Sequence, residues 1–264
     1  IAIPGIAEIA LHTAQVEQAQ QATLYSEPCV LRDMPEVALW LSDHVVQKSL
    51  TSFASGYRKK AETTAGRTQV PVDVKQGKAA TAAMFDAFVP TQDVLDIARD
   101  KTITGGQAFM DGLWMFGFSP DMKYSGFTPN NSACLRALAL GEVKILLVDV
   151  QSLVKVTTEE ALTPLCKDRC KDLSYLEELN NWDDAKLKSL VASGVRMKRF
   201  VQKQGDLLYI PQGYLIIEST MPGQSLVCGA RKSLMMKGGA HASAYRATTE
   251  LFRASQRNCE RMDL

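Results

Sequence analysis

Gly205-Asp206-Leu207-Leu208-Tyr209-Ile210-Pro211-Gln212-Gly213-Tyr214 is the stretch on which the reading of this chain turns. Four consecutive apolar residues, Leu207 to Ile210, lie between Gln204-Gly205-Asp206 and Pro211-Gln212-Gly213. A run that short, bounded on both sides by turn formers, reads as a buried strand between two tight turns. The same pattern continues on either side, with strands predicted at Arg196 to Gln202, Tyr214 to Ser219 and Ser225 to Ala230, the last two joined by Met221-Pro222-Gly223. Strands and turns repeated this regularly imply antiparallel sheets closing into a barrel or sandwich.

Working outward, Leu113 to Phe118, Tyr124 to Phe127, Ala133 to Leu140 and Val143 to Val150 are further short apolar or alternating runs, separated by Gly, Pro, Asn and Ser. A polar helical insert, about 157–193, divides them from the final strands; Leu173, Leu176, Leu179, Leu187 and Leu190 recur in it at helical spacings. The front of the chain is different. Ile6, Ile9, Ala10, Thr13 and Val16 predict a helix from Pro4 to Leu24. A short strand follows within Glu27 to Asp33, and Pro35 then opens a helix that should run to about Gly56. Gln69 to Val74 reads as an edge strand because of Pro71, and Lys78 to Val89 as an Ala-rich helix. The fold class is therefore α+β with a mainly β core.

Composition narrows the classes of function. The 264 residues are 46% hydrophobic and 22% charged, an ordinary globular balance, with a formal net charge of +1. No apolar run approaches the roughly 18 residues a membrane helix needs, so no membrane span is expected. Six cysteines at average density do not make a secreted disulfide framework and favour an intracellular, reducing compartment, cytoplasmic or nuclear. Arg196 to Leu264 carries eleven Lys and Arg against five Asp and Glu, about +6, which leaves the rest near −5. No basic run interleaves with aromatics, so nucleic-acid binding is disfavoured and the polarity reads as internal complementarity.

The segment from Gly205 to Tyr214 resembles the Gly-Asp-hydrophobic-Tyr-Ile-Pro-x-Gly-aromatic motif of the JmjC-type cupin barrel, the fold of iron and 2-oxoglutarate dioxygenases. Leu138 to Val148, with its Gly141-Glu142-Val143 turn, is similar to that family's strand, Gly-x-Lys turn and next strand. Glu27 to Arg32 resembles the segment that opens such domains, and Val70-Pro71-Val72 followed by Thr91 to Leu95 resembles their next strand and short helix. The resemblance implies a JmjC/cupin-like double-stranded β-helix, a jelly-roll barrel at 27–235. An N-terminal helix at 1–26 would precede it and a C-terminal amphipathic helix at 236–264 would follow.

It also implies a metal site. Iron in this family is held by two His and one carboxylate on one side, leaving positions open for cosubstrate and oxygen. Transferred residue by residue, the His-x-Asp pair falls on Thr128 and Asn130 and the second His on Ile216. Ile216 has no donor atom, and neutral Thr and Asn oxygens are poor ligands for a divalent transition metal. The lysine that would pair with 2-oxoglutarate is expected at Val143, while Lys144 is one residue on, a shift that turns a strand side chain to the opposite face. The histidines His12, His44 and His241 offer no replacement pair at suitable spacing. Neither metal nor cofactor is expected.

Other constellations have plainer explanations. Cys166 and Cys170 share a helical face but lack the second pair of a structural zinc site. Asp183, Asp184, Glu177 and Glu178 read as solvated helix faces. Gly105-Gly106 and Gly238-Gly239 are not followed by phosphate-loop residues, and no serine sits in a Gly-x-Ser-x-Gly elbow. The last helix is more suggestive: Tyr245, Phe252, Cys259 and Met262 line one side, with arginines on another. That stripe predicts a protein partner or a second copy docking through the C-terminal helix. The sequence thus reads as a catalytically inactive barrel, a pseudoenzyme acting as a structural, scaffold or interaction subunit. The alternative is an iron-independent enzyme or small-molecule binder using the barrel mouth, with Cys134, Lys144 and Tyr214 as pocket residues.

Overall fold

The computed structural model describes residues 3–9, 27–61, 67–72, 74–88, 113–118, 123–127, 133–156, 182–224 and 226–234. Among the described residues eleven strands form two sheets. In chain order they are β1 (Ala7–Ile9), β2 (Cys29–Leu31), β3 (Arg67–Pro71), β4 (Leu113–Phe118), β5 (Lys123–Phe127), β6 (Ala133–Leu140), β7 (Val143–Asp149), β8 (Met197–Gln202), β9 (Leu207–Ile210), β10 (Tyr214–Thr220) and β11 (Val227–Leu234). One sheet has seven strands in the order β1-β2-β9-β6-β11-β4-β3, and the other has four in the order β5-β10-β7-β8. Among these strands the ladders are antiparallel except that of β1 with β2, which is parallel.

Each of the eight runs expected as strands from Leu113 onward contains a strand, and the class is α+β, mostly β. The expectation of a single closed barrel is not met: the strands divide between two separate sheets. The turns explain the sharp strand ends. Gly205 and Gly213, at φ 86° and 90°, adopt the left-handed conformation where a side chain would be strained, so β9 can enter and leave its turns within a few residues.

Among the described residues five α-helices accompany the sheets: α1 (Pro35–Ser42), α2 (His44–Ala61), α3 (Lys78–Asp86), α4 (Val150–Val156) and α5 (Asp184–Ala192). The single helix expected from Pro35 to Gly56 is broken at Asp43, which takes an extended backbone. Its Oδ1 accepts from the Val46 amide at 2.9 Å, so the carboxylate starts a second helix instead of continuing the first. A second correction concerns the N-terminus: residues 7–9 are a strand, not part of a helix. Apolar spacing there fits a helix, but the free edge of β2 offers the backbone a ladder partner, and tertiary pairing overrides local pattern. The remainder of the 1–26 helix, the C-terminal helix at 236–264 and most of the insert lie outside the described residues.

Side chains sort into three apolar layers. The outward face of the seven-stranded sheet, with Leu135, Ala137, Tyr209 and Ala230, packs under α1 to α3 through Trp40, Val46, Met84 and Phe85. The outward face of the four-stranded sheet, with Leu146, Val148, Leu215 and Ile217, packs under α4 and α5. Between the sheets lies the third layer, with Val30, Phe116, Leu138, Leu208 and Ile210 from one sheet meeting Val143, Ile145, Leu147 and Ile216 from the other. Alternation along each strand produces this division.

Candidate functional site

The layer between the sheets is where the resemblance puts the chemistry. Ile216 lies in β10, opposite Leu147 of β7 and Gly126 of β5. Its side chain is buried in the apolar intersheet cluster. The register carries β5 to Phe127, opposite Leu215; Thr128 and Asn130 lie outside the described residues. At the Ile216 position the chain supplies a hydrocarbon where an iron site needs a nitrogen lone pair, so the residues present do not fit the metal. Among the described residues no cluster of three or more His, Cys, Asp or Glu could hold an ion. His44, the one histidine among them, is exposed at the start of α2.

Polar groups do enter this layer, and they engage one another. Arg136 of β6 donates from Nε to Gln202 Oε1 of β8 at 2.8 Å, and its NH1 is ion-paired with Glu218 of β10. Gln202 in turn donates from Nε2 to the carbonyls of Arg136 at 3.0 Å and Asp206 at 3.2 Å. The Arg136 guanidinium also lies 5.3 Å from the centre of the Phe116 ring. Arg231 of β11 is the register partner of Arg136 and is equally buried, its guanidinium 6.0 Å from the Trp114 ring centre. All four polar side chains are at least nine-tenths buried. A carboxylate committed to a guanidinium in this way is a pin between the sheets.

These residues were not anticipated as a group. The available signal was a charge at an inward position of an otherwise apolar strand: Arg136 shares a face with Leu138, and Glu218 shares one with Ile216.

Of the three expected pocket residues, Lys144 stands apart from the other two. Cys134 is buried in β6 opposite Ile210. Tyr214 starts β10 at the same end of the sheets and is half-buried. Its hydroxyl is pushed up to about 12, by burial first and then by the Asp149 carboxylate, with Arg196 opposing. Lys144 is exposed on β7, on the face opposite Val143 and Ile145, and pairs in register with Ser219 near the far end of β10. The stripe Tyr245, Phe252, Cys259 and Met262 lies outside the described residues.

Asp149, beside Tyr214, has a structural explanation. Its Oδ1 accepts from the Gln151 and Ser152 amides at 2.8 and 3.4 Å, which caps α4, and its other oxygen pairs with Arg196. Asp183 likewise caps α5 by accepting from the Lys186 amide at 2.7 Å, and exposed Asp184 pairs with Arg199 at 3.1 Å. Both carboxylates are exposed, but they belong to a helix terminus where the sequence suggests a solvated helix face.

No protein-family model matches the sequence, and no curated protein matches it. Among the described residues no helix is long and apolar enough to cross a membrane.

Proposed function

We propose that the chain is a catalytically inactive JmjC/cupin-like protein that serves as a structural, scaffold or interaction subunit. One observation carries this reading: Ile216, at the strand position where the family's second metal-binding imidazole would stand, is packed into an apolar layer in which Arg136, Gln202 and Glu218 are tied to one another. A small-molecule site needs a concave space with convergent, available polar groups. Arg136, Gln202 and Glu218 converge, but on each other.

The fold part of the reading has its own support. From β4 to β11 the strands fall to the seven- and four-stranded sheets in the sequence seven, four, seven, four, four, seven, four, seven. Such alternation between two facing sheets supports the reading as a double-stranded β-helix. Fold alone assigns no activity, and the inactive reading rests on the side chains between the sheets.

Elemental analysis of the purified chain and calorimetric titration with Fe(II) or Mn(II) and with 2-oxoglutarate test the proposal. The expected result is no stoichiometric metal and no heat above dilution. Tight binding abolished by a substitution at Thr128 or Asn130 would overturn it. Light scattering coupled to size exclusion, on the chain alone and from native extract, tests the subunit role, which predicts a mass above that of one chain in the extract.

A further inference from the structure

The segment Ile3–Ile9 crosses from one sheet to the other. At its start the Pro4 carbonyl accepts from the Arg199 amide of β8 at 3.2 Å, and Gly5 forms an isolated parallel bridge with the same residue. Ile3 packs against the layer under α4 and α5, whereas Ile6 is buried in the layer between the sheets. Residues 7–9 then pair with 29–31 as the edge strand of the seven-stranded sheet. Strands β8 and β2 are thus joined across one side of the sandwich by a segment distant in sequence from both sheets' central strands.

The hold is slight beside the ladders it joins. It consists of three parallel pairs and one bridge, whereas β7 and β10 share seven pairs and β6 and β11 share seven. Ile6 places a buried side chain between the sheets, and Pro4 and Gly5 are exposed. Protein segments open in order of how little apolar area and how few protected hydrogen bonds they would lose.

We infer that Ile3–Ile9 is a releasable strap, which opens the β2 and β8 side of the intersheet layer while both sheets stay folded. Ile6 is its latch. Release bares the outer hydrogen-bonding edges of β2 and β8 and the flank of the layer around Val30 and Leu208.

Native-state hydrogen exchange on the full chain, resolved by residue, is the test. The Arg199 amide, which donates to Pro4, is expected to exchange at least about 10-fold faster, after correction for intrinsic rates, than the ladder amides of β7 and β10. Placing a carboxylate at the latch with Ile6→Asp should remove the remaining protection at Arg199 and raise binding of the hydrophobic dye ANS, with ladder protection and far-UV circular dichroism retained. Exchange of Arg199 at the ladder rate in the unaltered protein would overturn the inference. So would loss of both sheets in Ile6→Asp, since the segment would then be an integral part of the fold.

Discussion

Strand β6 faces two interiors of different character. Outward it offers Ala133, Leu135, Ala137 and Ala139 to the helices, and the layer they enter is apolar apart from the Trp40 indole, which donates to Thr81 at 3.0 Å. Inward it offers Arg136 and Leu138 to a layer that also holds Glu218, Gln202 and Arg231. A helix can settle at whatever height its side chains dictate, so an apolar layer of mixed sizes is enough beneath α1 to α3. Two facing sheets stand about 10 Å apart, and long paired side chains can span that gap. Because a slip of one residue would turn Arg136 out of the layer, its pairing with Glu218 and Gln202 also fixes the register of β6 against β10 and β8.

The largest effect expected from this contrast comes from removing one half of the inner pin. Glu218→Ala leaves a guanidinium buried without its carboxylate and should cost about 3–5 kcal/mol in urea unfolding. Replacing both partners with apolar residues of similar volume, Arg136→Met with Glu218→Leu, should restore most of that stability. If the single and double variants lose the same amount, the pair contributes packing and not charge complementarity, and the distinction between the layers fails.

Glycine substitutions probe the same contrast with smaller expected losses. A methyl group at Gly229, on the inward face beside the bulge in β11, would lie 2.2 Å from the Ala137 carbonyl oxygen, which is backbone of the adjacent strand. At Gly117, on the outward face of β4, it would lie 2.9 Å from the tip of the Phe53 ring on α2. A ring on a helix can yield, whereas a paired strand cannot. Gly229→Ala should therefore cost about 1–3 kcal/mol or more, and Gly117→Ala clearly less. Thermal unfolding of the two variants side by side settles the order, and a larger loss at Gly117 would mean that the helical layer is the stiffer one.

Alkaline pH separates the layers by titration. Burial pushes the Cys29 thiol, in the helix-covered layer, from its ordinary 9.0 up to about 12, against the pull of the Lys198 charge. Tyr214, at the edge of the inner layer, moves from 10.0 to about 12. For each group the folded value exceeds the unfolded one, so its contribution is complete below the unfolded value and is lost as pH rises toward 12. The slope is at most about 1.4 kcal/mol per pH unit for each group. Cys29→Ala should flatten stability from about pH 9 upward, and Tyr214→Phe only from about pH 10. A wild-type stability curve that stays level from pH 9 to 12 would contradict both.

How far the sequence could be read depended on whether local chemistry or tertiary partners decided each element. Leu207–Ile210 was legible to the residue because Gly205 and Gly213 end it by conformations other residues resist. The outward turn of Lys144 followed from the period of two, as did the burial of Val143. Residues 7–9 were misread because isoleucines spaced for a helix can equally meet a sheet edge, and only the fold supplies that edge. Asp43 was passed over because a cap inside an apolar helical pattern looks like an ordinary exposed residue until its amide partners are known. The Arg136, Gln202 and Glu218 network joins positions up to 82 residues apart, and no local pattern brings them together. Ile216 was legible as an apolar strand residue, while its burial between the sheets came only from the structure.

The smallest effect concerns the tie across the strap side of the sandwich. Glu27, just before β2, is ion-paired with Lys198 of β8, the carboxylate being well exposed and the ammonium partly so. The hydrogen bond from Lys198 holds the Glu27 carboxyl below its ordinary 4.5, the Lys198 charge and that of Arg196 add to this, and partial burial opposes it. A folded value below the unfolded one contributes stability that is present above about pH 4.5 and disappears as pH falls through the folded value. Solvent screening keeps the amount below about 1 kcal/mol, unlike the buried pin at Arg136. Glu27→Gln should therefore be slightly less stable than the wild type at pH 7, equal to it near pH 2, and closer to it at pH 7 in 1 M salt than at low salt. The difference between the two urea curves, followed across pH, measures this. A gap that persists undiminished at pH 2 would assign the loss to packing of the Glu27 stem, and the two sheets would then be joined on that side by the strap without electrostatic help.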